Sequence, residues 1–137
     1  MNKLRSLLAA AALAGACACA HAAPANPLSV HVLNLQDGMP SPGVEVVLEK
    51  QENGQWTVLS KGVTNDQGRI PALFPDGRAW TAGTYKVTFK TGAWFAEHKA
   101  ETFFPEIPVI FKADGKLPHY HIPLLLSPYG FSTYRGN

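Results

Sequence analysis

A pair of histidines two positions apart is the part of this 137-residue sequence best suited to chemistry. His119 and His121 flank Tyr120, and an apolar run over residues 122–126 follows directly. On a β-strand alternate side chains share a face, so the two imidazoles would lie on one side of the strand. Such a pair could bind zinc, act in acid–base catalysis near neutral pH, or consist of strand histidines that bind nothing.

Two further residues are candidates for the same site, although each also has an ordinary structural interpretation. His31 lies between Val30 and Val32, so it could be a third zinc ligand, a catalytic group or a histidine packed in a strand. Arg69 follows a glycine at the start of a predicted strand over residues 69–74, where arginine is usually a solvated charge. The sequence has no G-x-S-x-G nucleophile motif and no phosphate-binding loop.

The elements that must position these residues are predicted to be about eight short strands. Alternating apolar and polar residues indicate strands, for example over residues 28–34, 44–50 and 85–90. Turn sequences rich in glycine and proline separate the strands at spacings near ten residues, and residues 93–99 could form one or two helical turns. This pattern predicts an all-β fold, an antiparallel β-sandwich.

The first 22 residues are predicted to be a secretory signal peptide. Lys3 and Arg5 precede an uncharged apolar run over residues 7–20, and Ala20-His21-Ala22 provides an A-x-A cleavage site. The run is shorter than the roughly 20 apolar residues that a membrane-spanning helix needs, and its cysteines fit a lipoprotein signal poorly. We therefore expect one domain over residues 23–137, exported to the periplasm.

Removal of residues 1–22 would change the charge and the cysteine content of the chain. Ten basic and ten acidic side chains would remain, and both cysteines would be lost. A nearly neutral domain gives no indication of nucleic-acid binding. Without a disulfide, its stability must come from core packing, with subunit association as a possible addition.

Four segments together resemble one family, the transthyretin-like 5-hydroxyisourate hydrolases of urate breakdown. They are LSVHVLN at 28–34, GRI at 68–70, HYHIPLLLSPYG at 119–130 and YRG at 134–136. The resemblance covers essentially all of residues 23–137. It implies a transthyretin-like antiparallel β-sandwich with one short helix, and a homotetramer, a dimer of dimers, with active sites in the channel between dimers.

The resemblance also implies an activity and assigns residues to it. The activity is hydrolysis of 5-hydroxyisourate to 2-oxo-4-hydroxy-4-carboxy-5-ureidoimidazoline, by water attack on a cyclic amide, with no cofactor and no metal. The family's catalytic residues correspond to His31, Arg69 and His121, and Tyr134 joins His31 and Arg69 in binding substrate. We predict that His121 is the general base and His31 its partner, although the two roles could be exchanged.

Two positions and two alternatives stay open at this stage. The family's terminal serine is Asn137 here, and His119 belongs to the family motif without a defined role. A non-enzymatic, transthyretin-like small-ligand binding protein is the main alternative, but transthyretin lacks both the His-x-His pair and the Tyr-Arg-Gly terminus. A secreted zinc-binding sandwich that uses His31, His119 and His121 is the other.

Overall fold

The computed structural model describes Ala22 and residues 25–137. The signal peptide predicted over residues 1–22 lies outside the described residues except for its last position, so it stays a prediction. Among the described residues, no helix is long and apolar enough to cross a membrane.

The described residues form two packed β-sheets and one short helix, which confirms the predicted β-sandwich. In chain order the elements are β1 (Leu28–Asn34), β2 (Met39–Pro40), β3 (Glu45–Glu52), β4 (Gln55–Val63), β5 (Arg69–Ile70), β6 (Gly83–Phe89), α1 (Thr91–Glu97), β7 (Ile107–Ala113), β8 (Tyr120–Ser127) and β9 (Gly130–Thr133). The first sheet has the order β2-β1-β8-β9, and β5 also pairs with β1. The second sheet has the order β4-β3-β6-β7.

One strand pairing departs from the antiparallel pattern that the sequence predicts. β1 and β8 run parallel, with Leu28 opposite Tyr120 and Asn34 opposite Leu126. The other named strand pairs of the described residues are antiparallel. The parallel pair joins segments about 90 residues apart, a relation that local periodicity does not contain.

Two predicted elements have different bounds in the structure. The strand expected over residues 69–74 ends at Ile70, because Pro71 has no N–H to donate to a ladder. The helix expected over residues 93–99 begins at Thr91 and ends at Glu97. Lys99, two residues beyond, has a φ of 55°, a left-handed conformation that no α-helix contains.

The core lies between the two sheets, and the alternation of β1 and β8 determines which side chains enter it. Leu28, Val30 and Val32 of β1 are fully buried, as are Leu124 and Leu126 of β8. Each such aliphatic side chain contributes roughly 1.5–3 kcal/mol relative to an exposed one. The intervening residues of both strands are directed to the opposite face of the sheet. That outer face carries the candidate site.

Candidate functional site

The parallel pairing of β1 and β8 brings the two predicted catalytic histidines together. His121 lies opposite Ser29, and His31 lies opposite Pro123, so the histidines are diagonal neighbours on the outer face. Their ring centroids are 6.5 Å apart, and the rings are inclined by 36°. Both side chains are half-buried. A small polar group or a water molecule between the rings would therefore be accessible to both.

Arg69 reaches the same place through β5, which pairs antiparallel with β1 and sets Arg69 opposite His31. A tight loop holds it there: the Asn65 side-chain oxygen accepts the N–H of Arg69 at 3.0 Å. Gly68 in this loop has a φ of +68°, and a Cβ would lie 2.5 Å from the Val32 carbonyl oxygen. Only glycine fits this close approach, so Gly68 allows the loop to pack against β1 and β5 to place Arg69 opposite His31.

The electrostatics of the site favour neutral histidines. Burial lowers the pKa of His31, the charge of Arg69 lowers it further, and a backbone hydrogen bond with Gln67 opposes the shift. Burial also lowers the pKa of His121, followed by the charges of Arg69, His31 and His119. A depressed pKa keeps an imidazole unprotonated near neutral pH, the form that can accept a proton.

His119 lies in the same cluster, one position before β8, and a serine connects it to His121. The Ser29 Oγ is 2.9 Å from Nε2 of His119 and 2.7 Å from Nδ1 of His121. His119 Nδ1 is also 2.7 Å from the backbone oxygen of Asn26. Sequence reasoning missed Ser29. Its position two residues before His31 indicates the same strand face, but its partners follow only from the β1–β8 register.

The end of the chain packs directly against His121. Gly136 forms an isolated antiparallel bridge with His121, and its N–H donates to the His121 carbonyl at 2.9 Å. A Cβ on Gly136 would lie 2.5 Å from Cδ2 of the His121 ring. Sequence reasoning also missed this glycine, although it belongs to the YRG segment. Its missing side chain lets the backbone lie against the imidazole.

Tyr134 is the predicted site residue for which the described residues show no direct contact with the others. Its side chain is 58% exposed. Within the described part of the chain it forms no side-chain hydrogen bond or ring contact with His31, Arg69 or His121. Together with Arg135 it lines a mainly apolar cavity of about 490 Å³, whose other walls include Val109 and Phe111. Its predicted contact with substrate stays a prediction.

The zinc alternative has no matching geometry in the described residues. No group of three or more histidine, cysteine, aspartate or glutamate side chains there is arranged to hold a metal ion. The Ser29 hydroxyl lies between His119 and His121 and contacts one nitrogen of each. These nitrogens are therefore used in hydrogen bonds to a hydroxyl group.

Comparisons with known proteins agree with this architecture. The family model for transthyretin, described as the HIUase/Transthyretin family, matches residues 28–136. The chain is 54% identical over 129 residues to a 5-hydroxyisourate hydrolase of Salmonella typhi, covering 94% of each chain. It is 36% identical over 118 residues to a 5-hydroxyisourate hydrolase of Mus musculus, covering 85% of this chain and 99% of the relative.

Comparison with solved structures supports the same family. The 5-hydroxyisourate hydrolase of Klebsiella pneumoniae aligns with a TM-score of 0.70 and 41% identity, over 80% of this chain and 98% of that one. Transthyretin from Sparus aurata aligns with a TM-score of 0.75 and 31% identity, over 80% and 96%. The resemblance inferred from the sequence is confirmed, and the chain belongs to the HIUase/Transthyretin family.

Proposed function

We propose that this chain is a 5-hydroxyisourate hydrolase, which converts 5-hydroxyisourate to 2-oxo-4-hydroxy-4-carboxy-5-ureidoimidazoline in urate degradation. The observation that carries the proposal is the cluster of His31, His121 and Arg69 on the outer face of the first sheet. Three relatives named for this activity are 54% identical to the chain over 93–94% of its length. Neutral histidines beside a fixed cation suit hydrolysis of a cyclic amide.

The reaction follows from the chemistry of these groups. A neutral imidazole takes a proton from water as the water oxygen attacks the carbonyl carbon of the ring. The carbonyl oxygen gains negative charge, and the carbon–nitrogen bond then breaks as the proton is passed to the leaving nitrogen. We assign His121 as the base, because one of its ring nitrogens is already held by Ser29. His31 would orient the water or take part in passing the proton to the leaving nitrogen.

Arg69 would stabilise the developing charge. Its guanidinium keeps its proton at any physiological pH and offers a planar set of N–H donors to carbonyl oxygens. A preorganised cation at the oxyanion lowers the barrier without reorganising during the reaction. Binding of the ring carbonyls by Arg69 and His31, with Tyr134 as a further contact, completes the proposed substrate site.

The most direct test adds freshly generated 5-hydroxyisourate to the purified protein and follows its ultraviolet absorbance. We expect the decay to be much faster than the spontaneous reaction and to scale with protein concentration. A decay rate equal to that of buffer alone would overturn the proposal. A protein that binds the compound without accelerating its decay would instead support the alternative of a binding protein.

We also propose that the protein is a homotetramer, a dimer of dimers, with the sites in the channel between dimers. Large apolar side chains that are exposed in the single chain support this proposal, because association would remove them from water. Ile110 on the sheet-edge strand β7 is 59% exposed, and Phe131 on β9 is 41% exposed. Native mass spectrometry would measure the assembly, and a monomer at micromolar concentration would contradict it.

Export is the remaining part of the proposal, with residues 1–22 as a cleaved signal peptide and the periplasm as destination. The basic start, the apolar run and the Ala20-His21-Ala22 site support it. N-terminal sequencing of protein recovered from the periplasmic fraction should find Ala23 first. Recovery of the uncleaved chain from the cytoplasmic fraction would contradict it.

A further inference from the structure

A chain of hydrogen bonds connects His121 to the backbone through Ser29 and His119, and the donor and acceptor of each bond can be deduced. His119 Nδ1 lies 2.7 Å from the backbone oxygen of Asn26. A carbonyl oxygen can only accept, so Nδ1 of His119 must carry the hydrogen. A neutral imidazole has one N–H, which leaves Nε2 of His119 as an acceptor.

The next link passes through Ser29, a residue that is only 9% exposed. Its hydroxyl group has one hydrogen and lies 2.9 Å from the accepting Nε2 of His119. Ser29 therefore donates to His119. Its oxygen must then accept from Nδ1 of His121, which is 2.7 Å away. In a neutral His121, Nδ1 thus carries the hydrogen and Nε2 has a free lone pair.

We propose that Ser29 and His119 are positioning residues that hold His121 in its Nδ1–H tautomer, so that Nε2 is the basic nitrogen of the site. The inference rests on the proposed function for its catalytic meaning. A backbone carbonyl at the far end sets the direction of the chain, and it cannot reverse while His119 is neutral. His121 thus has Ser29 as its hydrogen-bond partner, and the role of His119 is to fix the direction of that hydrogen bond.

The same contacts hold the ring in place. Ser29 engages Nδ1, and the Gly136 backbone packs against Cδ2, the atom on the other side of Cγ. The two ring atoms bonded to Cγ, Nδ1 and Cδ2, are therefore both in contact with the protein, while Nε2 lies at the far side of the ring. When Nε2 takes a proton, the Nδ1–H bond to Ser29 persists. The ring can change charge without rotating.

The tautomer can be read from long-range proton–nitrogen NMR spectra of the full ¹⁵N-labelled protein, at a pH where His121 is neutral. The His121 signals are assigned by their loss in His121→Asn. We expect a protonated Nδ1 and an unprotonated Nε2 in the wild type. In Ser29→Ala, we expect the population to move towards the Nε2–H tautomer.

Kinetics give the second measurement. Loss of the group that holds a catalytic imidazole in its tautomer lowers turnover, so we expect Ser29→Ala to reduce kcat by about 10- to 100-fold with a much smaller change in KM. Ser29→Thr keeps the hydroxyl group and should recover the tautomer and most of that loss. His119→Phe keeps a ring of similar size without nitrogen atoms and should shift the tautomer as Ser29→Ala does.

The matched control is His98→Gln, which removes an exposed histidine at the end of α1 and should change neither the His121 signals nor kcat. An Nε2–H tautomer in the wild type would overturn the proposal. So would a Ser29→Ala protein with an unchanged tautomer and kcat. If Ser29→Ala does not fold, the wild-type and His119→Phe spectra decide. The spectra need no turnover, so they give an answer even if the proposed hydrolysis fails its own test.

Discussion

The outer faces of the two sheets differ in whether their basic side chains are paired with carboxylates. On the second sheet Lys86 lies 2.9 Å from Glu49, and just beyond its strands Lys90 lies 2.7 Å from Glu106. On the first sheet Arg69 is adjacent to histidines and belongs to none of the ion pairs among the described residues. The difference teaches that a cation shifts the pKa of neighbouring histidines when no nearby carboxylate offsets its charge. One face is ordinary protein surface, and the other is an electrostatic site.

The largest expected effect comes from removing the proposed base on the first face. His121→Asn keeps a polar side chain but cannot accept a proton near neutral pH, so we expect kcat/KM to fall by about 10²–10⁴-fold. Circular dichroism should show an unchanged fold. The matched change on the second face, Glu49→Gln, should leave kcat/KM unchanged. Equal losses of kcat/KM in His121→Asn and Glu49→Gln would show that the two faces do not differ in function.

Removal of the unpaired cation should have the next largest effect. Arg69→Ala deletes the proposed oxyanion donor, for which a loss of about 10²–10³-fold in kcat is typical. Arg78, an exposed arginine that is 3.4 Å from Glu52, provides the control, and Arg78→Ala should retain full activity. Full activity in Arg69→Ala would show that the arginine is merely a surface charge.

The pH dependence tests the same electrostatics in the intact protein. Because the pKa values of His31 and His121 are lowered from the ordinary 6.5, both should stay neutral somewhat below that pH. The acidic limb of kcat/KM should therefore lie below pH 6.5, and stability linked to these groups should decrease as pH falls through the same region. In Arg69→Ala the limb should move upward, since one cause of the shift is gone. A limb above pH 6.5 in the wild type would contradict this interpretation.

A smaller effect is expected from the glycine that packs on the base. Gly136→Ala places a methyl group 2.5 Å from Cδ2 of His121, so the ring or the terminal segment must shift. A displacement of this size suggests a loss of about tenfold in kcat. Gly130→Ala is the control, because its Cβ would meet only the Ser127 hydroxyl at 3.7 Å. Similar kinetics for both variants would show that the Gly136 contact is not needed.

The smallest effect concerns stability on the second face. The Lys90–Glu106 pair beside this face is exposed, with 33% and 53% of its side chains accessible, and exposed pairs contribute about 1 kcal/mol or less. Glu106→Gln should therefore lower the free energy of unfolding only slightly in urea titrations. A loss of several kcal/mol would mean that charge pairing on this face is more than ordinary surface chemistry.

The alternation of apolar and polar residues was sufficient to predict the sandwich and to place His119 and His121 on one face of a strand. That His31 and His121 point away from the core follows only from the structure. The prediction that His31 and His121 share a site with Arg69 came from the resemblance to a family. Periodicity could not provide it, because Ser29 and His121 are 92 residues apart in sequence. The parallel β1–β8 register, the hydrogen bonds of Ser29 and the packing of Gly136 arise from long-range pairing. Local patterns contain no information about such contacts.

The position of β1 within its sheet has a consequence for how the protein opens. This strand is bonded on both edges, to β2 and β5 on one side and to β8 on the other. Amides in such a central strand exchange with solvent mainly through global unfolding. His31, a proposed catalytic residue, lies on this strand, and His121, the proposed base, lies on β8 opposite Ser29 of the same strand. Heat should therefore abolish the reaction only at the temperature at which the whole domain melts.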